Sequence, residues 1–201
     1  MFTATHLLRR RRFLPLFVTQ LFNAFNDNLY KTTMVLFVVY AVYNDETTES
    51  SFSSLASALF ILPFFILSAL AGQLADMRDK AKIIRTVKMC EIGLMMIGAA
   101  GLYMAWRGIM VHTVAIPLLL LALFLTGVQS TFLGPIKYAI LPQHLKKDEV
   151  LAGTGLVEAG TYIAILMGTI LAGPLAVDYT GWAAMGIIVV SCIGYMISRQ
   201  I

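Results

Sequence analysis

TQLFNAFNDNLYK, Thr19 to Lys31, interrupts an otherwise apolar stretch with amides and charges. Asp27 stands 15 residues after Arg12 and 16 before Tyr43. On a helix rising 1.5 Å per residue this places it roughly 22 Å from either end, at the centre of a bilayer. An ionisable side chain at that depth costs about 2.5–3.5 kcal/mol on insertion scales, and it marks a functional site by default. Gln20, Asn23, Asp27 and Lys31 are spaced 3, 4 and 4 residues apart. At 100° per residue they fall within a sector about 80° wide, a single polar stripe. Two accounts of the stripe are open: amides bonding across helix interfaces, or the lining of a polar cavity. Two charges added to several amides favour the cavity. Asp27 and Lys31 stand in acid-to-base i,i+4 order, which predicts a pair.

The rest of the chain fits a membrane setting. It is 59% hydrophobic and only 13% charged, against about 25% charged in soluble domains, and its mean hydropathy is +0.80. Such a chain is expected to be an all-α polytopic membrane protein. Cys90 and Cys192 lie in apolar segments without partner spacing, so neither a disulfide framework nor a metal site is expected. The net charge of +4 reflects membrane sidedness, and nucleic acid is not an expected partner. Arg9 to Arg12 before an apolar run resembles a signal peptide, but the run is soon broken by amides and no small-residue cleavage site follows. It reads as a retained first span.

Six segments are predicted to cross: about 14–43, 54–75, 84–106, 114–141, 150–175 and 182–198. Arg9 to Arg12, Arg78, Lys80, Lys82, Arg85, Lys146, Lys147 and Arg199 fall at one set of ends. The opposite loops hold Arg107, the acidic NDETTESS (Asn44 to Ser51) and Asp178. The positive-inside rule then places both termini in the cytoplasm. Tyr40, Tyr43, Tyr103, Trp106, Tyr179 and Trp182 would form the outer aromatic belt.

Three further ionisable residues fall inside spans. Glu91 follows Lys88 by one turn near the inner surface, where a snorkelled or paired site is expected. Lys137 lies near the inner end of span four. Glu158 is too short to snorkel and needs a partner, which Lys137 or Lys31 would supply. Gly160, Ala164, Gly168 and Ala172 form an every-fourth-residue stripe of small side chains, expected to bring helices close. No P-loop, GxSxG or HExxH motif is present, His144 and Asp148 are one residue short of an H-x4-D pair, and no cofactor is implied. An enzyme within these residues is not expected.

GQLADMRDKAKII (Gly72 to Ile84) resembles the G-x-L-A-D-R-x-G-R-K loop of major facilitator transporters, with Met77 and Asp79 departing from the usual Arg and Gly. AFNDN (Ala24 to Asn28), GPIKYAILP (Gly134 to Pro142) and LAGTGLVEAGTYIAILMGTILAG (Leu151 to Gly173) resemble stretches of bacterial lysophospholipid transporters. The resemblance implies a six-span N-terminal half of a twelve-span protein, with spans 1–3 and 4–6 as inverted repeats and the C-terminal half absent. It implies flipping of lysophospholipids, such as lysophosphatidylethanolamine, across the bacterial inner membrane for re-acylation. It assigns Asp27, Asn28, Lys137 and Glu158 to the substrate path, to which the polar stripe adds Gln20, Asn23 and Lys31, and it assigns Asp76, Lys80 and their neighbours Gly72 and Arg78 to a cytoplasmic gate. The implied partners are the bilayer, a second half or second copy, and an acyltransferase or acyl-ACP synthetase, to which some relatives are fused. Two alternatives remain: a proton-coupled drug or metabolite exporter, and a non-transporting membrane module of a lipid acyltransferase.

Overall fold

Six long helices carry the fold of the computed structural model, which describes residues 4–43 and 46–201. They are α1 (Leu14–Phe37), α2 (Glu46–Met77), α3 (Lys80–Trp106), α4 (Ile116–Ala139), α6 (Val150–Val177) and α7 (Thr180–Ser198), with the single turn α5 (Leu141–His144) between α4 and α6. Of the acidic NDETTESS segment, Asn44 and Asp45 lie outside the described residues. Helix α2 begins eight residues before the apolar stretch that marks it in sequence, at Glu46 rather than residue 54. Helix propagation adds one hydrogen bond per residue whether or not the residue is apolar.

Local signals fix several ends. Pro15 occupies the first turn of α1, where its missing N–H is no loss. Asp79 caps α3, its carboxylate accepting from the N–H groups of Ala81 and Lys82 at 3.0 and 3.3 Å. The residue that departs from the major facilitator loop pattern is therefore a helix N-cap, a role that suits Asp. Helix α1 runs on into a wide turn at Val38–Tyr43, and α4 is preceded by another at Val111–Ala115.

Among the described residues, five helices are long and apolar enough to cross a membrane. The exception is α1, which has the length (24 residues, about 36 Å) but carries the polar stripe. Its place in the bundle explains how that polarity is tolerated. Helix α1 packs against α6 and α7, α4 packs against α2 and α3, and α3 packs against α7. This set of pairs maps onto itself when α1, α2 and α3 are exchanged with α4, α6 and α7. Nested three-helix repeats require that symmetry, and an odd number of spans makes the second repeat inverted.

Small residues set the closest approaches. A Cβ on Gly168 of α6 would stand 2.6 Å from the Phe25 carbonyl oxygen of α1, and one on Gly127 of α4 would stand 2.4 Å from the Phe60 carbonyl oxygen of α2. The two glycines hold equivalent pairs in the two repeats. Gly160, Ala164, Gly168 and Ala172 are all buried, as the small-residue stripe predicted.

Apolar packing is divided in two. One cluster, at the end where Tyr43, Ala105 and Ala176 lie, includes Leu29, Tyr30, Met34, Met95, Leu102, Leu119 and Leu123. The other, towards the arginine-bearing end, includes Leu7, Phe13, Leu16, Ile84, Leu133, Ile136 and Leu145. Between them lies a layer of buried polar side chains: Gln20, Asn23, Asn26, Asp27, Lys88, Glu91 and Gln129. Tyr30, fully buried, donates its hydroxyl to the Leu119 carbonyl at 2.8 Å and ties α1 to α4 just above this layer.

Candidate functional site

The polar layer is a connected network on α1, α3 and α4. Lys88 and Glu91, one turn apart on α3, are ion-paired and neither is exposed. The Glu91 carboxylate also accepts from Asn26 Nδ2 at 3.0 Å and from Gln129 Nε2 at 2.9 Å. Asn23 Oδ1 accepts from Gln129 Nε2 at 3.1 Å and from Lys88 Nζ at 3.4 Å. Asn23 Nδ2 in turn donates to Asp27 Oδ2 at 3.0 Å, and the Ser130 hydroxyl donates to the same oxygen at 2.5 Å. One amide, Asn23, thus joins the Lys88–Glu91 pair to Asp27. Glu91 lies 11 residues from the start of α3 and 15 from its end, roughly 16 and 22 Å, as deep as Asp27.

This corrects the surface reading of Glu91. The residue is paired with Lys88, but the pair is sealed among three helices and does not snorkel. Lys88 reaches its place because Gly194 of α7 leaves room: a Cβ there would stand 3.0 Å from Lys88 Cε. The one sequence signal for this centre is the i,i+3 charge pair inside an apolar span; its packing against Gly194 of α7 is visible only in the structure.

Beside the network, α1, α2, α4 and α6 enclose a cavity of about 330 Å³, within the range of small-molecule sites. Gln20, Asn23, Asp27, Asn28 and Lys137 line it, together with Ser130. Phe60 and Phe64 of α2, Leu133 of α4 and Ile165 of α6 give it apolar walls. Two of its polar groups are uncompensated: Asp27 Oδ1 and Gln20 Nε2 are buried without a hydrogen-bond partner. Leaving a buried polar atom unpaired costs about 1–3 kcal/mol, so a ligand that pairs with both recovers that cost. Asn28 satisfies its own amide on the Ala24 carbonyl at 2.9 Å.

The remaining anticipated path residues stand outside the lining. Lys31 does not pair with Asp27; its ammonium sits over the Phe60 ring, 5.1 Å from the centroid. Asp27 is already held by Asn23 and Ser130 on its α4 side, and the Lys31 stem leads instead to the aromatic face of α2, where a cation–π contact forms. Of the two partners anticipated for Glu158, the structure supplies Lys137: Nζ to Oε1 is 2.8 Å. The Tyr138 hydroxyl donates to the same Glu158 oxygen, and Lys137 Nζ lies 4.7 Å from the Tyr138 ring centroid. Glu158 therefore acts on the cavity through Lys137. In the anticipated gate, Gly72 lies on α2 with open space where a Cβ would be. Asp76 and Arg78 are exposed and Lys80 is half-buried; none of the three makes an ion pair among the described residues.

The polar residues of Asn23 to Lys31 on α1 and of Gln129 to Lys137 on α4, the first helices of their repeats, face each other across the bundle axis. Asn23 of α1 meets Gln129 of α4, and Asp27 meets Ser130, so the symmetry of the repeats brings the equivalent stretches together at mid-depth. The arrangement offers a carboxylate acceptor, an amide donor and a lysine around a cavity with aromatic and aliphatic walls, suited to a small polar group attached to an apolar body.

Comparison with known proteins agrees with this architecture. No solved structure matches the chain. The protein named lysophospholipid transporter LplT from Salmonella heidelberg (strain SL476) is 26% identical over 182 residues, covering 90% of this chain and 40% of the relative. The LplT of Cronobacter sakazakii (strain ATCC BAA-894) is 27% identical over 177 residues, covering 88% and 39%. The chain thus spans about 40% of the length of the curated relatives it matches. The sequence model of the Major Facilitator Superfamily matches residues 16–198, nearly all of the helical bundle, and this all-α polytopic membrane protein belongs to that family.

Proposed function

We propose that this chain carries the headgroup-binding part of a lysophospholipid transporter in the bacterial inner membrane, moving lysophosphatidylethanolamine or a similar lipid to the cytoplasmic leaflet for re-acylation. The observation that carries the reading is the pair of buried, uncompensated polar atoms on two cavity-lining residues, the Asp27 oxygen and the Gln20 amide nitrogen, with Lys137 in the same lining. A zwitterionic headgroup brings an ammonium for Asp27 and a phosphate for Gln20 and Lys137. Phe60, Phe64 and Ile165 offer the apolar wall along which an acyl chain can lie. The relatives named for lysophospholipid transport point to the same substrate class.

In this reading the arginine-bearing end, with both termini, is cytoplasmic. A second six-helix half, or a second copy, covers the face formed by α1, α2, α4 and α6, and rocking of one against the other gives alternating access. Asp76 and Arg78, exposed, and Lys80, half-buried, all free of ion pairs within the described residues, then contact that second half at the inner gate. Re-acylation belongs to a partner enzyme.

The test is uptake of a fluorescent lysophosphatidylethanolamine by cells that express the protein. Asp27→Ala and Gln20→Leu should each lower the rate at least tenfold while membrane insertion is unchanged, since each removes a charge-assisted contact of about 1.5–3 kcal/mol. Parental uptake by both variants would remove the site.

A second reading, proton-coupled export of a drug or metabolite, draws on one count. Two buried carboxylates, Asp27 and Glu91, share one buried ammonium, Lys88, and one proton would balance the excess. Transport that collapses with the pH gradient, and that is indifferent to lysophospholipid, would favour it.

A further inference from the structure

A second cavity lies at the arginine-bearing end, far from the polar layer. It has a volume of about 450 Å³ and is lined by Arg10, Arg11, Arg12, Gln143, His144 and Lys146, with the Leu145 segment as its floor. We propose that this cavity binds the phosphate of an anionic phospholipid from the surrounding membrane, as a site separate from the transport path.

The charges in the cavity are unequal in role. Arg10 is committed to Glu149, at 2.6 Å and 2.8 Å from its two nitrogens. Glu149 is almost fully buried and also accepts from the Lys146 N–H at 3.2 Å. This doubly bonded pair fixes the segment before α1 against the turn before α6 and so determines where the neighbouring cations stand. Arg11, Arg12 and Lys146 have no ion pair among the described residues. Three exposed cations without an ion pair therefore stand around one concavity, where an anion can meet all of them at once. His144 lines the same wall, and its Nδ1 is buried without a hydrogen-bond partner. The guanidinium groups provide the planar, multi-donor geometry that suits phosphate oxygens.

The lipid source follows from position. Arg12 and Lys147 are within a few residues of the first turns of α1 and α6, and those turns expose Leu14 and Leu151. An anion in the cavity thus lies where charged headgroups meet the apolar belt, and basic pockets between membrane helices at such an interface bind anionic lipid heads. The inference needs only that this end of the bundle meets the membrane surface, and it is independent of what the central cavity transports.

The experiment counts phospholipids retained by the full chain, purified from membranes into detergent, by native mass spectrometry. Phosphatidylglycerol is supplied in competition with phosphatidylcholine, and inorganic phosphate is added alone in a parallel arm read by melting temperature. The parent should retain phosphatidylglycerol preferentially, and R11Q/R12Q/K146Q should lose the preference, by roughly fivefold per cation removed. R11K/R12K, which keeps the charge, should recover most of it. R85Q/K147Q/R199Q removes three exposed cations from the same end but outside the cavity and should keep the preference. Equal loss in the two triple variants would reduce the effect to general surface charge and overturn the site. Stabilisation of the parent, but not of R11Q/R12Q/K146Q, by phosphate with no lipid preference would overturn the lipid as ligand.

Discussion

Lys88 and Glu91 are ion-paired on one face of α3 with no exposure of either side chain, and Asn23 bridges this pair to Asp27 of α1. The centre of the bundle is therefore one hydrogen-bonded unit whose parts stand on three helices. A ligand on Asp27 acts on the orientation of Asn23, and through it on the contacts that α3 and α4 make with α1.

Breaking the pair from one side should be worse than removing it. Lys88→Met leaves the Glu91 carboxylate with only neutral donors, Asn26 and Gln129, and Glu91→Gln leaves a buried ammonium. Loss of one partner of a buried pair costs about 3–5 kcal/mol, and replacement of both by apolar or neutral groups costs far less. Melting of the purified protein in detergent should place K88M and E91Q well below the parent and K88M/E91Q above either single variant. Additive losses in the double variant would mean that the two residues act independently.

Helix approach at Gly168 should tolerate no side chain. A Cβ there meets the Phe25 carbonyl at 2.6 Å and the Leu29 nitrogen at 3.1 Å, both backbone atoms that cannot turn aside. Gly168→Val should destabilise by about 1–3 kcal/mol, the range for overpacking. Gly155→Ala, thirteen residues earlier on the same helix, meets nothing within 4 Å and should be neutral or slightly stabilising, because alanine favours the helix by about 0.8–1.0 kcal/mol. A thermal unfolding series on the two variants distinguishes them; equal behaviour would place the α1–α6 contact elsewhere.

Periodicity and charge distribution carried the helices and the polar stripe into view, because both follow from one helix's own sequence. Gln20, Asn23 and Asp27 stand on one face and are buried together. What lies between helices was harder to read. The rotation of α3 that carries Lys88 and Glu91 inward depends on Gly194 of α7 and on amides contributed by α1 and α4, so a pair that resembles surface charge is in fact central. Lys31 misled in the opposite sense. Its spacing from Asp27 suits a pair, yet Asn23 and Ser130 hold the carboxylate while Phe60 attracts the ammonium. The Lys137–Glu158 pair was legible as a need, since a short acid inside a membrane span requires a cation, and the structure selected between the two candidates. The arginine-end cavity had no linear signal beyond its charge, because Arg10 to Arg12 and Lys146 are separated by four helices' worth of chain.

Titration of His144 should report the electrostatic state of that cavity. Partial burial, and then the charge of Arg12, hold its pKa below the ordinary 6.5. The unfolded chain therefore takes up the His144 proton first as pH falls through about 6.5, and stability declines from that point until the folded imidazole is itself protonated. Arg12→Gln removes the second cause and leaves the burial. Its His144 should titrate at higher pH by NMR of labelled histidine, and its loss of stability between pH 7 and pH 5 should be shallower than the parent's. An unchanged His144 titration in the variant would mean that Arg12 does not face the imidazole and that the cations of this end are not gathered around one cavity.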